Sequence, residues 1–134
     1  MNTQYFVGHG IRHVFGGYIE RVHPVTKNGR FMLFFDVAVY SKEFAYGSPS
    51  VKRIAVMLRC ENEEVLSQWA TWLAENAMEA CVECEEFYLT VGKGKFGPSP
   101  VFIVSRFTPM SGYDRPPEYV QTFLNAQEGL PANA

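Results

Sequence analysis

The chain has 134 residues, a length that suits one domain with a core of ordinary size. Of these residues 47% are hydrophobic, 15% aromatic and only 19% charged, which excludes a chain disordered throughout. The formal charge of −2 is unevenly spread, because residues 61–86 carry eight carboxylates and no Lys or Arg, while all 12 Lys and Arg lie elsewhere.

Residues 1–13 show little periodicity and contain Gly8 and Gly10. They read as an N-terminal arm, irregular or holding a short strand. A first strand is expected over 15–23, where Gly16-Gly17 marks a bend or bulge. Asn28-Gly29 then lies between two β-rich runs, the strongest short hairpin signal. The second strand, 31–40, alternates most clearly: Phe31, Leu33, Phe35, Val37 and Val39 form the core face. Met32, Phe34, Asp36, Ala38 and Tyr40 form its outward face. A connection with Gly47 and Pro49 leads to a third strand over 52–60, where Ile54, Val56 and Leu58 alternate with Arg53, Ala55, Met57 and Arg59.

The period then changes. Asn62 is a natural N-cap, and Glu63 and Glu64 suit the positive end of a helix dipole. Val65, Leu66, Trp69, Leu73, Ala77 and Ala80 recur at helical spacing and predict a helix over 62–80. A fourth strand follows over 82–91 and a fifth over 101–108, joined by the Gly-rich residues 92–98. Pro109, Pro116 and Pro117 end the main domain, which is bounded as 14–108. The tail 109–134 carries Tyr119, Val120, Phe123 and Leu124 on one side of a short helix expected at 118–127.

The predicted order is β-β-β-α-β-β, all-β with one helix between strands three and four. That is the layout of the five-stranded OB-fold barrel, which binds oligonucleotides through the face of strands two and three and the loops joining strands 1–2 and 4–5. Lys27 and Arg30 fall at the 1–2 hairpin, and Lys93, Lys95 and Phe96 at the 4–5 hairpin. Lys42 and Lys52 flank the 2–3 connection, and Arg53 and Arg59 lie on the outward face of strand three. Phe34 and Tyr40 lie outward on strand two, and Tyr88 lies on strand four. Cations for phosphates beside rings for bases are what single-strand binding requires. Each residue also has a plainer reading. A hairpin Lys serves solubility, and an outward Phe34 or Tyr40 is covered by the arm, the tail or a partner subunit.

The run Phe15-Gly16-Gly17-Tyr18-Ile19-Glu20-Arg21-Val22, the Asn28-Gly29 turn, the strand 31–40 ending in Ser41 and the strand 52–58 before a helix resemble the bacterial single-stranded DNA-binding protein superfamily, primosomal relatives included. Gln4-Tyr5-Phe6 with Gly17-Tyr18-Ile19 is also similar to small replication proteins of integrative mobile elements. The resemblance covers about residues 14–108 and implies a homo-dimer or homo-tetramer. The chain departs from the family in having no Trp on the third strand and no acidic, Phe-terminated tail of the kind that recruits repair enzymes.

Other chemistry is weakly signalled. Cys81-Val82-Glu83-Cys84 is a single CxxC without the further ligands of a structural zinc site. Gly92, Gly94 and Gly97 match GxGxxG, but Pro98 and a β-rich run follow where a helix should open. His9, His13 and His23 have no triad or metal spacing, and Asp36 is expected to pair with Arg53 or Arg59. No enzyme, cofactor or metal is expected. No apolar run approaches the ~20 residues of a membrane span, and residues 1–6 are not a signal peptide. Three cysteines do not make a disulfide scaffold, and the cytoplasm is the expected compartment.

Two functions remain open. The first is non-specific binding of single-stranded DNA, or RNA, in replication or maintenance of a mobile element. The second is a protein-interaction or oligomerisation module, with a replication protein as partner. One conflict needs a structure: Glu83, Glu85 and Glu86 begin a strand beside the expected groove, and would oppose phosphates if they faced it.

Overall fold

The computed structural model describes residues 3–7, 12–45, 48–76, 78–90 and 98–110, with backbone alone for 3–7, 40–45 and 48–50. Six strands and one helix follow in order: β1 Thr3–Val7, β2 His13–Lys27, β3 Arg30–Ala45, β4 Ser48–Cys60, α1 Glu63–Glu75, β5 Glu79–Thr90 and β6 Pro100–Pro109. The strands form one sheet in the order β1-β5-β2-β3-β4-β6. It closes on itself because β5 also pairs with β6. β4 pairs with β6 in parallel, with Val56 opposite Phe102 and Met57 opposite Ile103. Five strands closed this way, with a helix between β4 and β5, are an OB-fold barrel. The sixth strand, β1, falls in the expected arm. It pairs with β5 from Thr3 opposite Thr90 to Val7 opposite Glu86. The start of β2 continues along the same edge of β5, with His13 opposite Cys84.

The β2–β3 hairpin turns where Asn-Gly predicts. Asn28 and Gly29 have φ of 51° and 72°, and Lys27 pairs with Arg30 across the turn. Two central residues in the left-handed region make the turn whose twist matches its strands. β2 has to serve two neighbours, pairing with β5 through Tyr18 and with β3 from Tyr18 onward. Gly17 sits at this changeover, where a Cβ would lie 2.4 Å from the Ala38 carbonyl oxygen. Further on, the register shifts between Glu20 and His23, and Arg21 has a φ of 55°. This bulge changes the strand's parity. Ile19 is buried before it, and Val22 packs on the interior cluster after it.

The interior follows the predicted alternation. Leu33, Phe35 and Val37 of β3 and Val56 and Leu58 of β4 are buried in one cluster with Val104 and Phe107 of β6. Leu66, Trp69, Trp72 and Leu73 of α1 belong to the same cluster, so both tryptophans are core residues. The Phe107 ring lies 5.2 Å from that of Trp69 and 6.2 Å from those of Trp72 and Phe35, each edge-on.

Asn62 caps α1 as expected, its side-chain oxygen accepting from the Val65 N–H at 2.9 Å. The helix is shorter than the expected 62–80. It ends at Glu75, where Asn76 turns to φ −119° and ψ 108° and its side-chain amide donates to the Trp72 carbonyl at 2.8 Å. From Met78 the chain alternates instead, with Met78, Ala80, Val82 and Cys84 all at 0% exposure in the barrel. A period of two overlies the helical spacing there, and cross-strand pairing decides between them. The Met78 carbonyl accepts from the Ile19 N–H at 3.0 Å, and the Glu79 carbonyl from the Met110 N–H at 3.0 Å. The short helix expected at 118–127 lies outside the described residues.

Candidate nucleic-acid interface

The outward face of the barrel across β2, β3 and β4 is laid out by register. One rung holds Val25, Met32 and Arg59; the next holds His23, Phe34 and Met57. Then come Glu20, Asp36 and Ala55, followed by Tyr18, Ala38 and Arg53. The face is thus banded: a cation beside the hairpin, an apolar band, an acidic pair, then a cation beside a tyrosine.

The apolar band is deeper than alternation predicts. Met57, Tyr88, Val101 and Ile103 are buried in a second cluster, and Met32, Phe34 and Ala55 pack against it. β5 and β6 bring Tyr88 and Val101, themselves cross-strand partners, onto the outer side of β3 and β4. Phe34 is therefore half-buried. Tyr88, expected to stack on bases, is 8% exposed and packs inside this cluster. The partial cover of Phe34 comes from β5 and β6, not from the arm, tail or partner subunit of the plainer reading.

Lys27 and Arg30 are exposed at the hairpin, and Lys52 is exposed on β4. A groove of about 500 Å³ opens beside the hairpin, lined by Arg30, Met32, Met57, Arg59 and Glu61 among others. Pockets of ~300–1,000 Å³ are usual for small ligands, so the groove has room for a nucleotide.

Arg21, Arg53 and Arg59 of this face are paired. The Arg53 Nε–H donates to Glu20 Oε2 at 3.0 Å, reaching from β4 across β3 to β2. Arg59 Nη2 lies 3.4 Å from Glu86 Oε2, reaching from β4 across β6 to β5. Asp36 pairs with Arg21 at 3.7 Å rather than with Arg53 or Arg59. The bulge is the reason, because it turns Arg21 outward beside Asp36. Burial raises the Asp36 carboxyl from its ordinary value and the Glu20 charge adds to the rise, while Arg21 and Arg53 oppose it.

The acids at the start of β5 divide by direction. Glu83 faces Arg12 at 3.3 Å and Arg106 at 3.5 Å, and Glu85 faces Arg12 at 4.0 Å. Only Glu86 of the three reaches an arginine of the candidate interface. The acidic window is thus partly neutralised across strands rather than gathered on one side.

Two residues of this face were not legible as site residues. Tyr18 is 45% exposed beside Ala38 and Arg53, and Arg21 faces outward only because of the bulge. Alternation from Gly16 could have placed Tyr18; nothing local signals the bulge. The side chains of Tyr40 and Lys42, and all of Lys93, Lys95 and Phe96, lie outside the described residues, as do Gly92, Gly94 and Gly97. Cys81 and Cys84 do not form a pair. Strand alternation puts Cys84 in the core and Cys81 on the outward side, beside Gly16 and Thr108. Among the described residues no three His, Cys, Asp or Glu gather to hold a metal, and no helix is long and apolar enough to cross a membrane.

No family model matches the chain, and no curated protein matches it in sequence. Among solved structures it is similar to the mitochondrial single-stranded DNA-binding protein Rim1 of S. cerevisiae, at 17% identity and a TM-score of 0.46, over 77% of this chain and 96% of that one. It is similar also to a small single-stranded DNA-binding protein from Streptomyces coelicolor, at 14% identity and a TM-score of 0.46, over 78% of this chain and 92% of that one. The OB topology itself stands on the strand order and register of this chain.

Proposed function

We propose that this chain binds single-stranded DNA without sequence preference, along the outward face of β3 and β4. The observation that carries this reading is the banding of that face within an OB barrel: exposed Lys27 and Arg30 beside a nucleotide-sized groove, an apolar floor, and Arg53 and Arg59 along β4. Phosphates meet Lys27, Arg30, Arg53 and Arg59, and Lys52 adds its charge from the other side of β4, opposite Val39. Half-buried Phe34 and Met32 form a floor for bases, backed by buried Met57. Lys42, Lys93 and Lys95 add phosphate contacts and Tyr40 and Phe96 stack on bases, the roles their sequence positions predict. Tyr88, nearly buried, borders the floor from the β5 side.

In this reading the protein serves replication or maintenance of a mobile element, in the cytoplasm, as a homo-dimer or homo-tetramer that meets other replication proteins. RNA offers the same phosphates and bases, so it enters the test as a competitor. A fluorescein-labelled thymidine oligonucleotide titrated at low salt, with RNA and duplex competitors, reads the affinity by anisotropy. The double variant Lys27→Ala/Arg30→Ala is expected to bind roughly 10-fold more weakly, with a salt slope shallower by about 1.4 for two lost phosphate contacts. Absence of binding by the unaltered protein at low salt sinks the proposal.

The second reading, a protein-interaction module, draws on Val14 at 53% and Tyr18 at 45% exposure on the outer side of β2. It predicts that Tyr18→Ser changes the mass seen by light scattering and leaves oligonucleotide affinity unaltered.

A further inference from the structure

We infer that Glu20 and Glu86 hold, in the free protein, the positions that strand phosphates take when DNA binds. Binding then proceeds by exchange of a carboxylate for a phosphodiester on Arg53 and Arg59. This inference rests on the single-strand reading of the site and adds how that site is regulated.

Four observations carry it. First, both arginines start on β4 and cross a whole neighbouring strand to reach their acids, Arg53 over β3 and Arg59 over β6. Their side chains thus lie along the sheet surface that the strand would follow. Second, Ala38 is the small residue on β3 directly opposite Arg53, which leaves the guanidinium free to lie over that strand. Third, the two pairs bracket the apolar floor. They are separated by six residues of β4, about 20 Å at the rise of a strand. Fourth, both pairs are accessible, with side-chain exposures of 38% and 30% for Arg53 and Glu20, and of 55% and 38% for Arg59 and Glu86.

The chemistry of exchange follows. A guanidinium presents the same fork of donors to a carboxylate and to a phosphate. An exposed ion pair is weak, so its opening is a small barrier to an incoming phosphate. Once displaced, the carboxylate remains beside the bound strand and repels it. Glu20 and Glu86 therefore set the affinity below what the arginines alone would give. They also lower the net positive charge of the face in the free protein, which disfavours non-productive binding of other polyanions.

The test compares Glu86→Gln and Glu20→Gln with Glu83→Gln by salt-dependent oligonucleotide anisotropy. Glu83 serves as the control because it holds Arg12 and Arg106 on another part of the barrel. All three remove one negative charge, so a general charge effect moves them alike. The inference expects Glu86→Gln and Glu20→Gln each to bind about fivefold tighter than Glu83→Gln at low salt, the size of one exposed pair. It expects a salt slope steeper by about 0.7 for each freed arginine. In an Arg59→Ala background, Glu86→Gln should lose its advantage over Glu83→Gln. If the unaltered protein binds and all three variants match one another, the exchange is wrong and the single-strand reading stands. If the unaltered protein binds no oligonucleotide, both fall.

Discussion

Single atoms decide what several positions tolerate. At Gly17 a methyl group would meet the Ala38 backbone oxygen at 2.4 Å, and backbone in the middle of a sheet cannot step aside as a flexible side chain can. Gly17→Ala is therefore expected to destabilise the protein by about 1–3 kcal/mol, the usual cost of overpacking. Urea denaturation followed by tryptophan fluorescence measures it. Gly16, one residue earlier, has nothing within 4 Å of such a methyl group and is the natural control. The cysteines make a second residue-scale argument. Burial pushes the Cys84 thiol from its ordinary 9.0 up to about 12, with the Glu83 charge adding to the rise. Burial likewise pushes Cys60 up to about 11. The folded chain thus keeps protons that the unfolded chain releases above pH 9. Stability from this source is full below that pH and falls as pH rises towards the folded values. By pH 10 the loss at Cys84 is on the order of 1 kcal/mol. Urea midpoints at pH 8 and pH 10 should fall further for the unaltered protein than for Cys84→Ala, whose core has no thiol to ionise at that position.

At the scale of elements, α1 shows how a local signal and a tertiary one share the work. Its start is set by Asn62, whose side chain satisfies the Val65 N–H that the first turn leaves without a partner. Asn62→Ala is expected to cost about 1 kcal/mol. It should shift the thermal midpoint without altering oligonucleotide affinity, because the cap does not belong to the β3–β4 face. The helix end has no such local mark. Residues 76–80 suit either a helix or a strand by composition, and the need to pair β5 with β2 from Glu79 onward settles it. The same holds for β2. Its glycines announce a bend, but the bulge that turns Arg21 outward lies four residues beyond Gly17, with no glycine to signal it.

At the scale of the whole molecule, charge is the quantity that folding rearranges most. Residues 61–86 are all-acidic among their charged residues, yet three of those acids are spent on arginines from distant parts of the chain. The candidate face is correspondingly less basic than a count of its Lys and Arg implies, because Arg21, Arg53 and Arg59 each face a carboxylate. Lys27, Arg30 and Lys52 have no ion pair among the described residues, and they supply the attraction at long range. A field of this kind decays within a Debye length of ~10 Å at 0.1 M salt, so it guides a strand only as it nears the hairpin.

The sequence by itself determined the barrel's order of elements, the hairpin turn, the helix start and the interior face of β3, because each depends on neighbours within a few residues. Alternation, an Asn-Gly pair and a capping side chain are all local. It also set Lys27 and Arg30 at the hairpin and Arg53 and Arg59 on one side of β4. Only the tertiary structure decided which cations are paired, that Tyr88 and Val101 of β5 and β6 pack over Phe34, and that Asp36 meets Arg21. Those outcomes depend on register between strands far apart in the chain, and one bulge, by shifting parity, changes every contact beyond it.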